Sequence, residues 1–263
     1  MAGKTDNLEM RQEFILHRLQ AGGEVTIEEL CTSLKASVAT IRRDLDDLEQ
    51  RSLLRRTHGG AVPIGPLFYE PFKHDPSFQD MVESFAEEKR RIARAAASLV
   101  QIGDAVALSG GTTTTEVARN LKLLNGITII TNTVNVAMEL SSCKGIDVVV
   151  SGGQLRGSWF TLVGPLANHA AQTMFADIMF IGVDGIDALH GLTCVHPHEA
   201  EFLNLLVHHS KRRIVVTDHS KIGGVAKWLL CPATDIHSIV TDVGATDAMI
   251  APFQQLGIEV TRV

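Results

Sequence analysis

From residue 105 onward, short apolar runs alternate with helical segments, and this alternation constrains the fold more than any other feature of the chain. The runs are AVAL (105–108), ITII (127–130), IDVVV (146–150), DIMFIG (177–182), RIVVT (213–217), SIVT (238–241) and IEVTRV (258–263). Helical segments fall between them at 113–124, 133–141, 198–209 and 247–256. Apolar runs of strand length joined by helical crossovers give a mainly parallel α/β sheet covered on both faces. A further helix is expected over 82–99, VESFAEEKRRIARAAASL. Its Lys89, Arg90, Arg91 and Arg94 alternate with Glu87 and Glu88 and read as a solvated face.

The first 62 residues follow a different pattern. A helix over about 8–19 ends at Gly22–Gly23, and a second begins at Thr26, where Glu29 stands three residues on as a capping box. A third is the stretch SVATIRRDLDDL (37–48). Its apolar positions Val38, Ile41, Leu45 and Leu48 recur at helical spacing behind Ser37 as the N-cap. After it, SLLRRTHGGAV reads as strand, Gly-Gly turn, strand. Three short helices with a tight link before the third, followed by a hairpin, form a winged helix-turn-helix. In such a domain the third helix enters the DNA major groove by its N-terminal end, and neighbouring elements hold the phosphates. The apolar stripe leaves Ser37, Ala39, Thr40, Arg42 and Arg43 free for that task, with Arg55, Arg56 and His58 on the wing. The acids Asp44, Asp46, Asp47 and Glu49 occupy the far half and are expected to turn from the duplex or toward the protein's own basic groups.

Bulk charge gives no hint of DNA. The net charge is −6, and residues 1–62 alone hold nine Lys/Arg against ten Asp/Glu. Any contact must come from local placement. The expected domains are therefore 1–62, a linker over 63–79 rich in Pro and aromatic residues, and an α/β domain over 80–263. The first 25 residues are polar, and no apolar run reaches the ~18 residues that span a bilayer, which points to a cytoplasmic protein without membrane contact. The four cysteines are far apart and read as reduced thiols. Cys194, His196 and His198 have no strong metal-site spacing, so no metal and no cofactor are expected.

Ligands of parallel α/β sheets bind at the carboxyl ends of strands, and three such ends carry polar residues. The loop SGGTTTT (109–115) follows AVAL and opens a helix. Gly110, Gly111, Thr112, Thr113 and Thr114 there offer N–H and hydroxyl donors to an anion. Asp184 follows DIMFIG, with Glu199 at the start of the next helix, both suited to accept from sugar hydroxyls. Lys221, in TDHSKIG (217–223), follows RIVVT. Together they suit a phosphorylated sugar. The same Asp184, Glu199 and Lys221 also fit an isomerase or deaminase active site, with the N-terminal part as an accessory module; TIRRDL followed by an arginine-bearing wing speaks against that.

Both halves resemble the DeoR family of bacterial transcriptional regulators, through SVATIRRDLDDLEQRSLLRRTHGGAV (37–62) and through GGTTTTEVARNL, SGGQLR, FIGVDGID and DHSKIG. The resemblance implies a regulator, most often a repressor, of a sugar uptake or catabolic operon, released from its operator by a phosphorylated sugar. It also implies a sensor domain related in fold to ribose-phosphate isomerases and glucosamine-phosphate deaminases, and a homodimer or homotetramer. Ser109 stands where many members carry Asp, which is expected to alter the sugar hydroxyls that are read.

Overall fold

A computed structural model describes residues 5–22, 24–51, 53–63 and 76–263. The chain divides into two compact units that meet in sequence at 68–69.

In the first unit, α1 (Thr5–Gly22) leads to β1 (Val25–Thr26), α2 (Ile27–Leu34), α3 (Val38–Gln50), β2 (Leu54–Arg56) and β3 (Gly60–Pro63). Both ends of the expected α2 cap form: the Thr26 hydroxyl accepts from Glu29 N, and the Glu29 carboxylate accepts from Thr26 N. Lys35 then takes a left-handed conformation that ends the helix. Ser37 caps α3 by accepting from Thr40 N. Ile41, Leu45 and Leu48 are fully buried with Ile15, Leu19, Leu30 and Leu54. Val38 departs from the expected stripe and is 47% exposed; it is the first residue of α3, before the helix reaches its neighbours. The wing is a three-stranded sheet in which β3 pairs with both β1 and β2. Gly60 fits because a Cβ there would meet the Val25 carbonyl oxygen at 1.9 Å.

The expected linker over 63–79 lies mostly outside the described residues, and its last four residues begin a helix. The single helix expected over 82–99 is two, α4 (Pro76–Glu83) and α5 (Ala86–Ala97). The break is at Phe85, whose backbone is left-handed with φ +53°, a costly conformation for a bulky side chain.

The second unit continues with β4 (Ala105–Leu108), α6 (Thr112–Leu121), β5 (Ile127–Thr131), α7 (Val134–Leu140) and β6 (Ile146–Val150). A hairpin of β7 (Gln154–Arg156) and β8 (Thr161–Val163) leads to α8 (Pro165–Ala171), then β9 (Ala176–Ile181), β10 (Gly185–Asp187), β11 (Gly191–Cys194) and α9 (Pro197–His208). The remainder is β12 (Ser210–Val216), β13 (Trp228–Cys231), β14 (Ser238–Thr241), α10 (Asp247–Gln255) and β15 (Glu259–Arg262). Seven strands form one sheet in the order β15-β14-β12-β9-β4-β5-β6, and every neighbouring pair is parallel. These are the seven apolar runs of the sequence. The β7–β8 hairpin, α8 and the small sheet β10-β11-β13 were not expected; each strand has three or four residues, too few for a periodicity to show. From β4 the chain moves one way to β5 and β6, then returns to the other side of β4 through β9. The strand order therefore reverses between β4 and β9, and a crevice opens at their carboxyl ends.

Candidate functional site

The cleft lies at that reversal. Its lining includes Gly110, Gly111, Thr112, Thr113, Asp184, Glu199 and Lys221, so seven of the eight expected ligand residues meet in one place. Thr114 does not. It is fully buried, and its hydroxyl donates to the Gly111 carbonyl at 3.0 Å, as does that of Thr115 at 2.7 Å. These two bonds turn the Gly111 carbonyl into the helix. Gly111 itself has φ +132°, and no side chain caps α6. The first N–H groups of a helix have no partner within it, so the opening turn of α6 offers donors to the cleft. Gly110 must be glycine: a Cβ there would fall 2.7 Å from Thr161 Cγ2 and 3.4 Å from Glu199 Oε1.

Ser109 lies at the end of β4, behind this loop. It is fully buried, accepts from Gly182 N at 2.9 Å and donates to the Gly110 carbonyl. It stitches the end of β4 to the end of β9 and is not among the residues that line the cleft.

The acids are positioned by backbone and by one cation. Asp184 accepts from Val195 N at 2.8 Å through one carboxylate oxygen. Glu199 pairs with Arg156 at 3.1 Å. Burial holds the Glu199 carboxyl above its usual range; Arg156 opposes that shift and Asp184 adds to it. Asp218 is buried and caps the turn His219–Lys221 by accepting from Ser220 N at 3.1 Å, which sets Lys221 on the cleft wall. Burial likewise pushes the Cys194 thiol up to about 11, so it lines the cleft as an un-ionised, unreactive group.

Lys89 was expected on a solvated face and lies instead in the cleft wall, 4% exposed. Its ammonium donates to the Met81 carbonyl and, at 2.7 Å, to that of Ser84, closing the end of α4. Burial lowers its pKa, with Asp218 opposing and Lys221 adding to the effect. Its alternation with glutamates concealed this, because the carbonyls it serves belong to the preceding helix. Phe85, also lining the cleft, packs edge-on against His219, with ring centroids 4.9 Å apart. His196 lines the cleft, whereas His198 is exposed near Glu201. Trp159, on the turn after β7, completes the wall.

In the first unit, Ser37, Ala39, Arg42, Arg43, Arg55 and His58 are exposed and Thr40 is half-buried. Arg42 and Arg43 carry no ion pair among the described residues. Arg56 does: its guanidinium binds Asp46 and its N–H donates to Glu49 at 2.8 Å. Each acid of α3 has a partner within the domain, although only Asp44 is buried. Asp44 is buried against Arg11 at 2.7 Å, and Asp47 meets Gln12 and Arg51. Among the described residues the helix thus presents unpaired cations at its N-terminal half, and beyond them acids held by Arg11, Gln12, Arg51 and Arg56.

Comparison with known proteins agrees with this division. Residues 11–65 match the model of the DeoR-like helix-turn-helix domain, and residues 84–243 match that of the DeoR C terminal sensor domain. The chain belongs to the DeoR family. It is 31% identical to HTH-type transcriptional regulator GolR of Listeria innocua, over 95% of this chain and 96% of that protein. It is 32% identical to HTH-type transcriptional repressor GlcR of Bacillus subtilis, over 95% of each chain. A putative aga operon transcriptional repressor of Escherichia coli O157:H7 is 32% identical over 96% of this chain and 93% of its own length. Among solved structures, ribose 5-phosphate isomerase A of Methanocaldococcus jannaschii shares 18% identity at a TM-score of 0.38, covering 52% of this chain and 55% of that one. The DeoR member described here is a DNA-binding transcriptional regulator, and the isomerase or deaminase reading is not favoured. No helix among its described residues is long and apolar enough to cross a membrane.

Proposed function

We propose that this regulator represses a carbohydrate operon and leaves its operator when a phosphorylated sugar fills the cleft between the ends of β4 and β9. The observation that carries this is the convergence of an uncapped helix N-terminus, two lysines and two carboxylates at one strand-order reversal. The phosphate sits on Gly110–Thr113, where N–H groups and the helix dipole favour an anion, with Lys89 and Lys221 adding charge. Asp184 and Glu199 accept from the sugar hydroxyls. The names of the relatives support a regulator of sugar genes, and no residue pair in the cleft demands turnover.

Operator contact is assigned to Thr40, Arg42 and Arg43, with Ser37 and Ala39 beside them and Arg55 and His58 on the wing. Arg56 supports the wing from within through Asp46. The test is a gel-shift titration on the DNA upstream of the neighbouring genes, with a panel of hexose, pentose and amino-sugar phosphates. Release by one phosphorylated sugar, and not by its unphosphorylated form, is expected. Product formation at an ordinary enzymatic rate, lost in Asp184→Asn, would restore the enzyme reading.

A further inference from the structure

The cleft places an acid beside its own anion seat. Glu199 Oε1 would stand 3.4 Å from a Cβ on Gly110, the first residue of the loop assigned to the phosphate. A bare carboxylate at that distance repels an incoming anion, and a partly desolvated cleft strengthens the repulsion. The favourable field of a helix terminus is equivalent to only about half a charge, and Lys89 and Lys221 of the seat are matched by the charge of the phosphate itself, about −1.5 to −2. Yet Glu199 is useful to a sugar sensor only while it is an acceptor.

Arg156 stands where this conflict is resolved. It is the last residue of β7, and its Nη1 reaches Glu199 Oε2 at 3.1 Å. Both side chains are mostly buried, 20% and 17% exposed. Among the described residues, Arg156 is not part of the cleft lining, whereas Thr161, opposite it in the β7–β8 hairpin, is. The guanidinium therefore meets Glu199 from a residue of the hairpin that does not itself line the cleft. The other titratable groups facing Glu199 cannot substitute for it. Asp184 carries the same sign, Cys194 stays un-ionised, and the pKa of His196 is lowered by burial and by Arg156 itself.

We propose that Arg156 is a positioning residue that neutralises Glu199 from outside the cleft, so that one pocket can read hydroxyls at Glu199 and hold a phosphate at Gly110–Thr113. The inference rests on the phosphate seat proposed above and adds a charge requirement to it. It also makes the pair 156/199 a specificity element: the cleft takes an anionic group and a neutral polyol on the same ligand.

The probe is inorganic phosphate, titrated at fixed pH and ionic strength against the full-length protein carrying Trp228→Phe. Trp159 in the cleft wall is then the sole tryptophan reporter. Arg156→Met should weaken phosphate binding at least about tenfold, the size of one charge-assisted contact. Adding Glu199→Gln to that variant should return binding to within about threefold of the parent, because the uncompensated charge is gone. Glu199→Gln alone should bind phosphate at least as well as the parent. Should Arg156→Met not fold, Arg156→Gln serves the same test, keeping a hydrogen bond without the charge. Unchanged phosphate binding in the Arg156 variant overturns the proposal and leaves the seat standing. Failure of Glu199→Gln to rescue also overturns it, since Arg156 would then touch the anion itself or serve only the hairpin. A parent protein that shows no phosphate binding removes the seat, and this inference with it.

Discussion

At the scale of single residues, the winged domain separates cations that face solvent from cations already engaged, and the two classes should behave differently when removed. Arg42→Ala and Arg43→Ala should keep the unfolding temperature of the parent while weakening operator binding. An arginine that reads guanine is worth ~1–3 kcal/mol of discrimination at one base pair; one that holds a phosphate lowers the salt slope by about 1 and weakens all sequences alike. Competition assays on operator and scrambled DNA assign each role. Arg56→Ala should do the reverse, lowering stability because Asp46 and the Arg56 anchor of the wing are lost together, with DNA affinity falling only as folding falls. Wild-type affinity in both Arg42→Ala and Arg43→Ala would remove α3 from the interface. These residues were legible because their evidence is local: Ser37, Ile41, Leu45 and Leu48 follow one helical period, and the arginines lie off it. Val38 was misplaced because periodicity does not say where along a helix its neighbours begin. The bond from Ser109 to Gly182, 73 residues away, and that from Arg156 to Glu199, 43 residues on, are out of reach of any local pattern.

Between elements, two joints determine what the cleft can transmit. One is the bend between α4 and α5, where Lys89 closes the end of α4 from the cleft wall. Sequence reading merged the two helices because nothing local marks Phe85 as left-handed. Lys89→Met keeps the length of the side chain and removes the donor, leaving the Met81 and Ser84 carbonyls unmatched. Backbone amides of 76–85 should then exchange with solvent about tenfold faster, corresponding to the loss of roughly one net hydrogen bond. Unaltered exchange there would mean the ammonium does not hold the bend. The other joint ties α6, whose first turn is proposed to hold the phosphate, to α7. Glu139 of α7 is buried between Arg119 at 3.0 Å and Lys122 at 2.7 Å. Burial alone would raise its pKa, but the two cations outweigh burial and hold it below the usual range. Glu139→Gln should cost roughly 2–4 kcal/mol, at the lower end for a buried pair because Arg119 is a third exposed. A depressed carboxylate stabilises the fold above its unfolded pKa and loses that contribution as pH falls through the folded value. The stability gap between parent and variant should therefore be full at pH 7 and shrink below the ordinary Glu value of about 4.3, which denaturant titrations at several pH values can measure. A gap that widens with acid would contradict the sign.

For the whole molecule, the question is how a small ligand supplies enough free energy to release DNA. A ligand moves an equilibrium only by its unequal affinity for the two states. Reversing a 1:99 population takes about 5.5 kcal/mol, whereas coupling between two sites is typically about 1–3 kcal/mol. One cleft acting alone falls short of complete release, whereas two identical clefts acting on one two-fold assembly reach it when each supplies close to 3 kcal/mol, the upper end of that range. The homodimer or homotetramer implied by the family resemblance would supply two such clefts and would fit a paired DNA site. Release plotted against effector concentration should then be steeper than a single-site curve, with a Hill coefficient above one. Linkage adds a stricter requirement, because coupling between binding sites is reciprocal. Saturating operator DNA must weaken effector binding by the same factor by which saturating effector weakens operator binding. Calorimetric titration of the effector, with and without operator, measures one factor, and DNA titration with and without effector measures the other. Equal factors are expected. An effector affinity unaffected by operator would place the sugar-phosphate site outside the switch, however well the cleft binds its ligand.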